Sequence, residues 1–143
     1  MSELNSALLM HIAARHAEGR IYDAVVGAGY DDVSPAMGRL AAQVTDDGLR
    51  LTELAERTRM TKQSASQLVD QLERAGYVER VPDPADQRAK LVRMAPRGKE
   101  VQEVARREER AIEREWTRHL GADRMRALRA ALTDLRTITD PYR

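Results

Sequence analysis

From Leu4 to Val26 apolar residues recur at Leu8, Ile12, Tyr22 and Val26 among polar ones, a helical period that predicts a long first helix. Gly27, Gly29 and Asp31-Asp32 end it. Ser34-Pro35 supplies an N-cap followed by proline at the first helical position, so a second helix is expected from Pro35 to Val44, closed by Asp46-Asp47-Gly48. Leu49-Arg50-Leu51 is long enough only for a strand stub. Thr52 then reads as the N-cap of a short helix that turns Leu54 and Ala55 inward, with Glu53 and Glu56 near its positive end. Thr61 caps a further helix, in which Ala65, Leu68, Val69 and Leu72 fall at i, i+3, i+4 and i+7, and Gly76 stands where a left-handed residue would end it.

Beyond Gly76 the period changes. Tyr77 to Val81 and Ala89 to Met94 read as two strands, with Pro82-Asp83-Pro84-Ala85-Asp86-Gln87 as the loop between them. From Pro96 the helical pattern resumes to Leu120, breaks at Gly121, and returns in a last helix carrying Met125, Leu128, Leu132, Leu135 and Ile138. A short helix, a tight turn at Arg59-Met60, a second helix and a β-hairpin make a winged helix-turn-helix. The fold class expected is mainly α with a small β-hairpin wing.

The 143 residues suit one domain, and the absence of Phe and Cys leaves Leu, Val, Ala, Ile and Met to build the core. Without cysteine, disulfides, thiolate metal sites and cysteine redox switching are excluded. His11 and His16, five apart, do not share a helical face, and His119 has no recognisable partner set, so no metal site and no cofactor are expected. The start Met1-Ser2-Glu3-Leu4-Asn5 shows no basic region leading into an apolar run, and the expectation is a soluble cytoplasmic protein with no membrane partner. No glycine-rich phosphate loop, nucleophile elbow or Ser/His/Asp constellation supports an enzyme.

The candidate chemistry lies on the outer face of the helix after Thr61. With its apolar residues turned inward, Lys62, Gln63, Ser66, Gln67 and Asp70 remain outside. Gln63 and Gln67 are one turn apart and can pair with an adenine edge; Lys62 offers a cation, and Thr61, Ser64 and Ser66 offer hydroxyls. Taken alone, a solvated helix face accounts for these residues equally well. The hairpin shifts the balance. From Asp86 to Lys99 there are five basic residues (Arg88, Lys90, Arg93, Arg97, Lys99) and one acidic, a local +4 in a chain of net +1. Residues 1–50 carry 4 basic and 7 acidic groups and residues 51–100 carry 10 and 8, so the small total averages an acidic first third with a basic wing. Arg97 and Lys99 also stand at a helix start, where the dipole disfavours cations and a bound phosphate would relieve them.

Asp83-Pro84-Ala85-Asp86-Gln87-Arg88-Ala89-Lys90 resembles the wing signature of the MarR family of bacterial transcriptional regulators. Leu68 to Arg80 is similar to the end of that family's recognition helix and its first wing strand, and Pro96-Arg97-Gly98-Lys99 to the start of its long fifth helix. The likeness runs from about Leu49 to Lys99; Ala95 departs from the hydroxyl residue often found there. The resemblance implies a winged helix-turn-helix region at 34–99 and a helical dimerisation domain from 1–33 and 100–143. It implies double-stranded DNA as partner, a homodimer through the first, fifth and sixth helices, and a repressor acting at a pseudo-palindromic operator. Asp86 would orient Arg88 toward the minor groove beside Lys90, and Arg97 and Lys99 would hold phosphates. The family often answers to small aromatic or carboxylate effectors; His11, Arg15 and Tyr22, four and seven apart on one face, are the candidates here, while an ion pair at Arg15 and a core Tyr22 are the plainer account. The rival reading is a helical protein-interaction module built on Val101 to Arg118, where Arg106, Arg110, Arg114 and Arg118 repeat every four residues among acids.

Overall fold

The computed structural model describes residues 3–143; Met1 and Ser2, on which part of the expectation of no targeting segment rests, lie outside the described residues. Six helices and one hairpin follow in the order α1 (Ser6–Gly27), α2 (Pro35–Ala41), α3 (Leu51–Thr58), α4 (Lys62–Arg74), β1 (Val78–Asp83), β2 (Asp86–Met94), α5 (Pro96–Leu120) and α6 (Ala122–Thr139). The chain divides into two compact units, one ending at Arg106 and the other spanning Arg107–Arg143. Among the described residues no helix is long and apolar enough to cross a membrane.

In the first unit the side-chain caps fall where hydroxyl and amide residues precede apolar periods. Asn5 Oδ1 accepts from the Leu8 N–H at 2.9 Å, Ser34 Oγ from Met37 at 3.1 Å, and Thr61 Oγ1 from Ser64 at 3.1 Å. One core joins α2, α3, α4 and the hairpin: Leu40, Leu54, Ala65, Val69 and Leu72 are at most 1% exposed, and Met37, Val44, Leu49, Tyr77, Val78 and Val92 close around them. Burying each of those leucines contributes about 2 kcal/mol.

Three expected boundaries are corrected. α2 ends at Ala41 rather than Val44, because its last turn tightens to i,i+3 bonds, Gln43 N–H to Leu40 O and Val44 N–H to Ala41 O, which still bury Val44. α3 begins at Leu51 with Arg50, not Thr52, in the N-cap position and no side-chain cap. The cause is the stub before it: Leu49 exchanges two backbone bonds with Val92, at 3.0 and 2.8 Å, and holds the chain extended up to Arg50. The wing loop is shorter than six residues. β1 and β2 pair antiparallel from Val78↔Met94 to Pro82↔Lys90, with an irregularity at Pro82/Asp83, and the connection narrows to Pro84-Ala85. Asp83 makes that turn: its carboxylate accepts from the Ala85 N–H at 2.8 Å and from Arg50 Nε at 2.8 Å, and these donors hold its pKa below the ordinary aspartate value.

The second unit is the rest of α5 with α6. Ile112 and Met125 are buried there, Arg129 reaches Glu113 at 3.4 Å, and Leu128, Leu132, Leu135 and Ile138 stay exposed. In the first unit Leu4, just before α1, and Leu8, Leu9, Met10 and Ile12 at its start are likewise exposed.

Candidate nucleic-acid interface

The turn between α3 and α4 is made by Arg59, whose left-handed backbone (φ 54°, ψ 39°) ends α3 and lets the Met60 N–H return to Ala55 O at 3.0 Å. It presents the start of α4 outward. Of the six residues singled out on this helix, Lys62, Gln63 and Gln67 are exposed and Ser66 half-exposed. Thr61 and Ser64 are exposed too, but their hydroxyls bond each other at 2.9 Å and belong to the cap. Ala65, Val69 and Leu72 face inward and Leu68 packs at the edge of the core, so the amide row faces solvent from a helix fixed on its other side.

At the wing tip Arg88 is 92% exposed, and its Nε and backbone N–H both donate to Asp86 Oδ1, at 3.3 and 3.1 Å. Asp86 thus ties the base of the side chain. Lys90 and Lys99 are exposed. The local excess of cations is partly cancelled by acids from other elements: Glu79 takes Arg93 at 2.7 Å, and Asp32 takes Arg97 at 3.0 Å.

Arg97 sits in a cluster that the sequence reading missed. Its guanidinium lies 4.4 Å from the Tyr77 ring centre and 5.7 Å from that of Tyr30, and donates to Ala75 O at 2.6 Å and to Asp32. The Tyr77 hydroxyl donates to Asp32 as well, and the Tyr30 hydroxyl donates to Glu100 at 2.9 Å. Asp32 thus places a carboxylate against Arg97 at the start of α5. The Tyr77 hydroxyl, then Arg97, hold the Asp32 carboxyl below its usual range, while burial and the bond to Asp32 push the Tyr77 phenol up. For the depressed Asp32 the contribution to stability is present above its unfolded value and lost as the pH falls below about 4; for the raised Tyr77 it is present below its unfolded value and lost as the pH rises above about 10. Melting temperatures taken across pH should fall on both limbs, and Asp32→Asn should flatten the acid limb and Tyr77→Phe the alkaline one.

The effector candidates differ in their surroundings. His11 and Arg15 are exposed, whereas Tyr22 is half-buried and its hydroxyl donates to Val33 O at 2.9 Å, fastening α1 to the segment before α2. An open cleft of about 620 Å³ lies in the second unit, lined by Glu109, Arg110, Glu113, Arg114 and Arg129. Among the described residues no group of three or more His, Cys, Asp or Glu side chains is placed to hold a metal ion.

Residues 32–89 match the model of the MarR family, and this match covers α2, α3, α4 and most of the wing. A transcriptional activatory protein, BadR of Rhodopseudomonas palustris, is 34% identical over 68 residues, which cover 48% of this chain and 39% of that protein. The chain thus matches well under half the length of this curated relative. Wild-type apo MarR from E. coli shares the fold with a TM-score of 0.73 at 20% identity, over 94% of this chain and 98% of that one. A mutant MarR from E. coli complexed with operator DNA has a TM-score of 0.66 at 20% identity, over 90% and 91% of the two chains.

The structural roles of two residues were not legible in the sequence. Asp83, which the sequence reading placed in the hairpin loop and the wing signature, is 7% exposed and builds the wing turn by accepting from the Ala85 N–H. Gly98 is buried where α5 passes the Tyr77 carbonyl, a contact visible only once the two segments are placed together.

Proposed function

We propose that the chain is a sequence-specific double-stranded DNA-binding regulator of transcription, acting as a homodimeric repressor. The observation that carries this reading is the exposed row Lys62, Gln63 and Gln67, with half-exposed Ser66, on a helix whose opposite side is core, flanked by a wing that ends in an outstretched Arg88. Gln63 and Gln67 would read base edges in the major groove, with Thr61 and Ser64 at the helix start. Arg88, held at its base by Asp86, would enter the minor groove, with Lys90 beside it. Lys99 would contact phosphate; Arg97 would do so only while sharing its guanidinium with Asp32. The exposed leucines of α1 and those of α6 are each apolar surface that a second copy would cover, through the first, fifth and sixth helices, so that two recognition helices address half-sites about one DNA turn apart.

Arg88→Ala is expected to weaken operator affinity by about tenfold or more at physiological salt, without a change in melting temperature; unchanged affinity in a fluorescence-anisotropy titration would remove the wing from the interface. BadR is a transcriptional activatory protein, which favours activation as the second reading; a promoter-reporter assay with and without the chain separates the two. A small aromatic or carboxylate effector would meet His11 and Arg15, with Tyr22 contributing its ring rather than its committed hydroxyl. A screen of aromatic acids that shifts neither the melting temperature nor DNA binding counts against it. Failure to bind any duplex would leave the helical interaction module as the surviving reading.

A further inference from the structure

The stripe that carries Gln63 and Gln67 continues, at intervals of three and four, through Asp70 and Arg74. A carboxylate therefore stands on the same helix face as the two glutamines, and Glu73 stands one turn beyond Asp70 on its flank. Both are exposed, their side chains 54% and 43% accessible. Negative charge there opposes phosphate. Both carboxylates are taken by one guanidinium from the wing: Arg80 of β1 donates through Nη2 to Asp70 at 2.9 Å and through Nη1 to Glu73 at 2.7 Å. Pairs this exposed stabilise a fold very little, so stability alone does not account for the arrangement.

We propose that Arg80 is an electrostatic shield for the recognition helix, a positioning and charge-masking residue that lets α4 approach DNA by covering Asp70 and Glu73. This rests on the DNA-binding reading. Its absence leaves two bare carboxylates beside the base-reading row, and its presence reduces the trio to a net charge of −1. Arg80 touches no base in this account; it acts through the acids it holds.

The test measures affinity for the selected operator and for an unrelated duplex, together with melting temperature, for the full chain and three variants. Arg80→Ala is expected to lose about tenfold in affinity for both duplexes with little change in melting temperature. Adding Asp70→Asn and Glu73→Gln to it should bring affinity back to within about threefold of the starting protein, since the charges needing cover are gone. Asp70→Asn with Glu73→Gln alone frees Arg80 as a cation, and should tighten binding to the unrelated duplex and steepen its salt dependence by about one counterion. Because this double variant keeps Arg80, it decides the matter even where Arg80→Ala fails to fold. Undiminished binding by Arg80→Ala, no recovery in the triple variant, or no gain in the double variant overturns the shield while leaving the DNA-binding reading standing. A starting protein that binds no duplex overturns both.

Discussion

Replacing Gly98 with alanine is expected to cost about 3 kcal/mol, near the upper end for adding one methyl group to a packed contact. The added Cβ would land on the Tyr77 carbonyl oxygen and lie 2.8 Å from Met94 Sδ and 3.1 Å from the Tyr77 carbonyl carbon. The sulfur can move. The carbonyl cannot move freely, because it already accepts the Ala95 N–H at 3.0 Å and its residue is held by the Asp32 and Arg97 contacts. Relief therefore requires the first turn of α5 to lift away from the hairpin, which would loosen Arg97 and the end of β2 together. Urea unfolding should show a lower midpoint at an unchanged slope, and a midpoint equal to that of the starting protein would mean that α5 does not pass Tyr77 this closely.

Leu72→Ala is expected to cost 2 to 5 kcal/mol, roughly the range for deleting a buried leucine side chain. Leu72 is 1% exposed and, with Ala65 and Val69, fixes α4 to the core. Gln67, on the opposite side, is exposed, and Gln67→Ala should leave stability within about 0.5 kcal/mol while lowering operator affinity by about 1 to 3 kcal/mol at particular base pairs. Paired melting and binding measurements separate the two faces: a Gln67→Ala variant that unfolds early and binds normally would reverse the assignment of the helix.

The elements were legible because each rests on local chemistry. Ser34 and Thr61 cap the helices that their hydroxyls announced, and Gly76, at φ +84°, ends α4 where the apolar period stops and only a residue without a Cβ turns left-handed cheaply. Thr52 misled for the same local reason. It is a good cap by type, but the pairing of Leu49 with Val92, more than forty residues along, decides where α3 begins. The amide row of α4 is a short-range feature that could be read from spacing, and the Asp86–Arg88 pair followed from the resemblance of the wing segment. The Asp32–Tyr77–Arg97 cluster, the cover of Asp70 and Glu73 by Arg80 and the closeness of Gly98 to Tyr77 could not, because each joins segments whose separation in sequence carries no period. The same holds for charge: the regional excess at the wing was visible, and the acids that cancel part of it, Glu79 and Asp32, became visible only in the fold.

The central claim is that α4 and the wing read duplex DNA. Selection of bound duplexes from a random pool, followed by anisotropy titration of the enriched duplex at several salt concentrations, tests it most directly. The account predicts enrichment of two inverted half-sites centred about 10 base pairs apart, bound far more tightly than a scrambled duplex, with log affinity falling linearly with log salt. No enrichment, together with no salt-dependent binding to any duplex, would contradict it.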